Sequence, residues 1–174
     1  MAEGGIQLRV LNPDDAAAYR EVRLSTLQSD PNAYITTAEE FAARPRASVA
    51  ERLGPSETVV TLGGFVAGEL VGILTLVRLE RPGLDHRAEV MGVGVLPRAR
   101  GQGCGDILMR GALAQARTWS GVSSLHLAVM ETQHAARRLY ERHGFAVWGT
   151  QPDAVRRDGQ VLSEHWLWRP LDQT

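Results

Sequence analysis

The sequence predicts a single-domain α+β fold over residues 1–174, with a mixed, mostly antiparallel sheet of about seven strands flanked by about four helices. Three observations predict it. Strand and helix signals follow the order β, α, α, β, β, β, α, β, α, β, β. The three consecutive strand signals within 57–95 are joined by short, turn-rich connections, which makes an antiparallel meander. Within 90–130 a strand, a glycine-rich turn, a helix and another strand follow in series, and that passage requires a right-handed parallel crossover. No linker, repeat or low-complexity block divides the chain, and its length suffices to bury a core.

The elements follow in order. Ile6–Val10 alternates and stops at Asn12-Pro13, a first strand. Asp14 or Asp15 can cap a helix over Ala16–Leu27, ended by Ser29-Asp-Pro-Asn32. Ala33–Pro45, with Tyr34, Glu39, Glu40 and Phe41, is irregular and suits either a lid or a solvated connector. A short helix at Ala47–Leu53 stops at Gly54-Pro55. Glu57–Phe65 and Glu69–Leu79 read as strands, with turn chemistry from Gly63-Gly64 and Ala67-Gly68. The β-branched run Val90–Val95 is a buried strand, stopped by Pro97, which has no N–H for a ladder. A helix beginning near Asp106 carries Leu108, Ala112, Ala116 and Trp119 on one face. Ser124–Met130 is a strand. Gln133–His143 is a helix closed by Gly144, and Phe145–Gly149 and Gln160–Trp168 are strands joined across Arg156–Gly159.

Composition narrows the function. With 44% hydrophobic residues the chain is globular rather than disordered, and a net charge of −1 gives no footprint for nucleic acid. The single cysteine, Cys104, excludes an internal disulfide. No His/acid spacing of the H-E-x-x-H kind points to a metal. Met1–Gly5 lacks the basic start of a signal peptide, and no apolar run reaches the ~20 residues of a membrane span, so a cytoplasmic location is expected. All cationic residues are arginine, which excludes a P-loop lysine or a lysine base.

Arg100-Gly-Gln-Gly-Cys-Gly-Asp106 is a phosphate cradle in form. Glycines allow the backbone close to an anion, and the helix that follows leaves unpaired N–H groups behind a favourable dipole. Gly101, Gly103 and Gly105 are spaced G-x-G-x-G, which departs from the dinucleotide fingerprint G-x-G-x-x-G. Val93-Gly-Val95-x-Pro97-x-x-Arg100-Gly-x-Gly103-x-Gly105 resembles the acyl-CoA pyrophosphate motif of the GNAT acetyltransferases. Leu125-x-Leu-x-Val129 followed by Ala136-x-x-Leu-Tyr140-x-x-x-Gly144-Phe145 resembles that family's second motif, in family order and at family spacing.

The resemblance implies the GNAT fold, with the two parallel strands splayed into a cleft, and acetyl-CoA as cofactor. Val93, Gly94 and Val95 would hold the pantetheine arm. The backbone of Arg100, Gly101, Gln102, Gly103, Cys104 and Gly105, with Asp106 adjacent, would hold the pyrophosphate. It implies acetyl transfer to a primary amine of a small molecule or peptide, by direct attack. Glu89 is the candidate base, with pairing to Arg87 or Arg78 as the competing role. Tyr140 is the candidate acid for the leaving thiolate, and an N–H of Val93–Val95 the oxyanion donor. Gln133 stands where the family usually has Asn, one methylene longer against the pantetheine. His126 reads as a packed or exposed residue. Cys104 is a small loop filler whose place near a helix start favours a lowered pKa. Arg137, Arg138 and Arg142 are candidates for the CoA 3′-phosphate or a solvated face, and Glu39 and Glu40 for attracting a cationic amine. Members of the family are often dimeric, so a homodimer is among the expectations. The competing function is a non-catalytic acyl-CoA-binding sensor.

Overall fold

The computed structural model describes residues 5–54 and 56–172; Met1–Gly4 and Pro55, on which parts of the leader and helix-stop expectations fall, lie outside the described residues. Seven strands form one sheet in the order β1-β2-β3-β4-β5-β7-β6. They are β1 (Gln7–Val10), β2 (Val59–Val66), β3 (Glu69–Arg78), β4 (Arg87–Val95), β5 (Ser124–Met130), β6 (Ala146–Arg157) and β7 (Gln160–Pro170). Among the described residues, five α-helices accompany them: α1 (Ala16–Ser29), α2 (Ala38–Ala42), α3 (Arg46–Arg52), α4 (Cys104–Thr118) and α5 (His134–Arg142). Among the described residues, only β4 and β5 pair in parallel.

The expected element order stands, with one helix more. Ala33–Pro45 is not wholly irregular, because Thr37 and Glu40 form a capping box that starts α2 and Phe41 buries its ring beside Leu27 and Val49. Asp15 is the N-cap residue of α1 but makes no side-chain cap bond there; the side-chain cap lies one turn earlier, at Asn12. The Asn12 side chain accepts from the Asp14 N–H while the Asp15 carboxylate accepts from the Asn12 N–H, starting a 3₁₀ turn that leads into α1. Gly63-Gly64 makes no turn. Both lie inside β2, where a Cβ would strike Leu11 at 2.5 Å or Cys104 at 2.8 Å. The turn is Ala67-Gly68, both at positive φ, and Asp158-Gly159 repeats that geometry between β6 and β7. β6 runs on past Gly149 to Arg157, because register shifts at Val147/Gly149 and Gln151/Val155 absorb Pro152 and the positive-φ Asp153 without ending the pairing.

One face of the sheet carries α4 and α5 over a core that includes Leu76, Val90, Leu108, Met109, Leu125 and Leu167. On the other side, α1–α3 cover β2 and β3 through two smaller clusters around Leu11, Val22, Ile73, Leu27 and Phe41. Glycine lets α4 approach the sheet. A Cβ at Gly72 would stand 2.5 Å from Cys104 Sγ and 3.1 Å from Leu108 Cδ1. Gly72→Ala is therefore expected to cost about 1–3 kcal/mol by overpacking. Urea unfolding checks this, and Cys104→Ala in the same chain should restore part of the loss.

Candidate active site

The site begins with a bend in β4. Ile73 pairs with Gly94 and Thr75 with Met91, so β4 spends one residue more than β3 over this stretch, and Gly92 takes φ +62° there. A bulge of this kind bends its strand. The parallel pairing of β4 with β5 covers only Arg87–Glu89 against Ser124–His126, whereas β5 stays paired with β7 out to Met130. The two strands therefore part beyond Glu89, and a gap opens between Val93–Val95 and the end of β5.

The open edge of β4 is partly held by side chains. The Val93 carbonyl accepts from the Tyr34 hydroxyl at 2.9 Å, and the Val95 carbonyl accepts from Arg100 Nε at 3.0 Å. Leu96 donates to Val71 on β3, so by strand alternation the N–H groups of Val93 and Val95 face the gap. Arg100 also donates to Asp30 at 2.5 Å and to Ser29 at 3.1 Å, tying the end of α1 to the glycine loop. Its side chain is thus a brace.

Gly101 and Gly103 take φ +74° and +87°, and a Cβ at either would meet open space. Gly103 is the N-cap of α4 and supplies no side-chain cap, so the first N–H groups of a 15-residue helix stay without an internal partner. A helix start of this kind suits an anion. Gln102 donates to the Arg98 carbonyl, which shapes the loop from within. Asp106 accepts from Arg142 at 3.1 Å and is bonded to His143 at 2.9 Å, and these partners hold its carboxyl below the usual range against the opposing effect of burial. Asp106 and Arg142 thereby join α4 to α5.

Cys104 requires correction. It is the first residue of α4 rather than part of the loop, and its thiol points into the core against Gly64 and Gly72. Burial pushes the thiol up, not down, because desolvation disfavours the thiolate. Only its backbone can serve an anion.

Tyr140 is 6% exposed, on α5, edge-on to Phe145 with ring centroids 6.3 Å apart. Burial pushes its phenol above the ordinary value, and the nearby Tyr34 adds to this. Gln133 is the N-cap of α5; its amide nitrogen lies 3.4 Å from the Thr132 hydroxyl. Arg137 pairs with Glu141 and Arg142 with Asp106, while Arg138 is exposed.

On the α1–α3 side, a cavity of about 1030 Å³ reaches the gap. Glu89, His126, Glu164, Trp166, Arg23 and Tyr34 line it, and Tyr140 does not. The structure thus separates the two candidate catalytic groups, with Glu89 on the cavity side and Tyr140 on the α5 side of the gap. The Glu89 side chain is 33% exposed, opposite His126 in register, with Arg87 at 4.0 Å. Arg78 instead donates to the Ser120 carbonyl. Glu40 spends its carboxylate on the Thr37 cap and lines no part of the cavity.

His126 is half-buried, 3.0 Å from the Ser124 hydroxyl. Desolvation, with Arg87 and His86 nearby, takes its pKa from 6.5 to about 4. A histidine whose folded pKa is depressed binds its proton first in the unfolded chain, so stability falls as pH drops from about 6.5 to 4. The expected loss is about 1–2 kcal/mol, allowing for solvent screening. The measurement is urea unfolding across that window; a His126→Gln chain should show a flatter profile, and equal slopes would refute the assignment.

Sequence reasoning missed Arg23, and it read Glu164 only as alternating with Trp166 and Trp168 on the last strand. Glu164 on β7 is 9% exposed, and burial alone pushes its carboxyl up. Arg23 on α1 lies 4.5 Å over the Tyr34 ring, and its Nη1 is buried with no partner among the described residues. The signal for Arg23 was its phase. It stands four residues from both Tyr19 and Leu27, on the inward stripe of α1, where a charge is unexpected.

A parted parallel pair, with an uncapped helix start at one end and a cavity at the other, is the arrangement that the resemblance to the GNAT motifs implies. Residues 22–145 match the acetyltransferase (GNAT) family, and the chain belongs to it. It is 28% identical over 119 residues to the L-amino acid N-acetyltransferase AaaT of Escherichia coli, covering 68% of this chain and 73% of that one. It is 33% identical over 150 residues to mycothiol acetyltransferase of Salinispora tropica, covering 83% of this chain but only 46% of that protein. Among solved structures, yncA from Salmonella typhimurium, determined with acetyl-CoA, superposes with a TM-score of 0.79 at 19% identity, over 98% of this chain and 96% of that one. A GNAT acetyltransferase from Streptococcus pneumoniae gives 0.79 at 20%, over 97% and 100%. At these identities the two structures speak for the fold. GNAT proteins use acetyl-CoA, and the family's enzyme class, acetyltransferase, is this chain's. Among the described residues no helix is long and apolar enough to cross a membrane.

Proposed function

We propose that this chain transfers acetyl from acetyl-CoA to the primary amine of a small molecule by direct attack. The observation that carries this reading is the carboxylate-lined cavity that reaches β4 at Met91-Gly92 and β5 at Ala128, where the two strands part. A substrate ammonium would lose a proton to Glu89, directly or through one water. The amine then attacks the thioester carbonyl, and a Val93 or Val95 N–H stabilises the oxyanion. As the C–N bond forms and the C–S bond breaks, Tyr140 hydrogen-bonds or protonates the departing sulfur, and the second nitrogen proton restores the phenol. The balance is ammonium plus acetyl-CoA giving amide, CoA thiol and one proton. No covalent enzyme intermediate is needed.

The test is thiol release from acetyl-CoA with a panel of amines. Direct attack predicts intersecting initial-rate patterns and full turnover in a Cys104→Ala chain. Acetyl-CoA binding without turnover of any amine would instead favour a sensor. Glu89→Gln is expected to lower kcat by about 10–100-fold at unchanged acetyl-CoA affinity, measured by steady-state rates and calorimetry. An unchanged kcat would remove Glu89 as base.

A further inference from the structure

Arg23 is a cavity residue whose chemistry the acetyl transfer above does not use. Its guanidinium is turned inward from α1, stacks on Tyr34 at 4.5 Å, and leaves Nη1 buried without a partner among the described residues. No carboxylate among the described residues lies in ion-pair range of it, although Glu89 and Glu164 line the same cavity. A buried guanidinium nitrogen without a partner is costly, and an anionic ligand would satisfy it. That ligand is not the CoA pyrophosphate, because the anion site at the start of α4 lies outside this cavity's lining.

Position limits what the anion can be attached to. Tyr34, on which Arg23 lies, also donates to the Val93 carbonyl, so Arg23 stands about one aromatic ring away from the backbone flanking the gap. An anionic group held there belongs to the part of the acceptor that carries the reacting amine. The charges of the cavity are also sorted. Arg23, Arg44 and Arg52 come from the helical side, and Glu89 and Glu164 from the sheet. The two sheet carboxylates suit an ammonium and oppose a doubly charged phosphate, whereas a single carboxylate matches the buried, unpartnered edge of Arg23.

Resting on the amine-acetyltransferase reading, we propose that Arg23 is a specificity residue that binds a carboxylate adjacent to the acceptor's amine, while Glu164 and Glu89 face the ammonium. The acceptor class is then the α- or β-amino acid, its side chain directed into the rest of the cavity toward Ile35 and Trp166.

The experiment measures kcat/KM by thiol release for matched triplets: leucine, phenylalanine and glutamine, each with its carboxamide and its decarboxylated amine. The expected result is a preference for the free acid of at least about 30-fold, the size of one lost charged hydrogen-bond partner. Arg23→Gln should abolish the preference by lowering the rate on acids while leaving the carboxamides within about threefold, and Arg23→Lys should restore part of it. Acetyl-CoA calorimetry and the melting temperature of each variant show whether it is folded. If the unaltered chain acetylates carboxamides as well as acids, or if Arg23→Gln slows both alike, the assignment falls and the acetyltransferase reading stands. If no amine of any triplet releases thiol, both fall together.

Discussion

Replacing Gly103 by valine is expected to weaken acetyl-CoA binding by at least tenfold, about 1.4 kcal/mol or more. Two effects add. Gly103 sits at φ +87°, where a β-branched residue is strained by about 1–3 kcal/mol. Its Cβ would meet no protein atom within 4 Å, so the fold itself has room for it. That room lies before the uncapped N–H groups of α4, where the pyrophosphate is proposed to bind. Gly121→Val separates the two effects. Gly121 has φ +83° and equally open space, but it follows the far end of α4. The Gly121 variant should lose stability in urea and keep its affinity; the Gly103 variant should lose both. Calorimetric titration with acetyl-CoA decides, and equal affinities in the two variants would remove the glycine loop from the cofactor site.

Tyr140→Phe is expected to lower kcat by about 100-fold or more with acetyl-CoA affinity within about twofold. The substitution deletes one oxygen and keeps the ring that packs edge-on against Phe145. Folding should be nearly unaffected, whereas Tyr140→Ala would open a cavity costing about 3–5 kcal/mol and confuse the result. Because burial raises the Tyr140 phenol, it stays protonated through the neutral and mildly basic range, so it should contribute no basic limb to the rate profile below about pH 10. Single-turnover and equilibrium measurements on the Phe variant check this. A fully active variant would assign the tyrosine to packing alone.

Much of the fold was legible because its signals are local. The glycine loop, the Leu125–Val129 alternation and the Leu139-Tyr140 helix closed by Gly144 carry their periods and turn chemistry in neighbouring residues. Boundaries erred where a pattern was broken from outside. β6 outruns Gly149 because β7 keeps pairing across its irregularities, and α2 is set by the Thr37/Glu40 box within a stretch too short for periodicity.

The sequence by itself determined the element order, the anion loop and the residues proposed to handle acetyl-CoA, since that machinery is consecutive along the chain. The tertiary structure decided the acceptor side. Arg23 on α1, Tyr34 after it, Glu89 on β4 and Glu164 on β7 meet only because the bulge at Gly92 bends β4 away from β5 while α1 folds over the gap. Spacing along the chain does not place Arg23 there. A lone arginine on a helix and a lone glutamate on a strand look solvated until burial leaves one without a partner and raises the other's pKa.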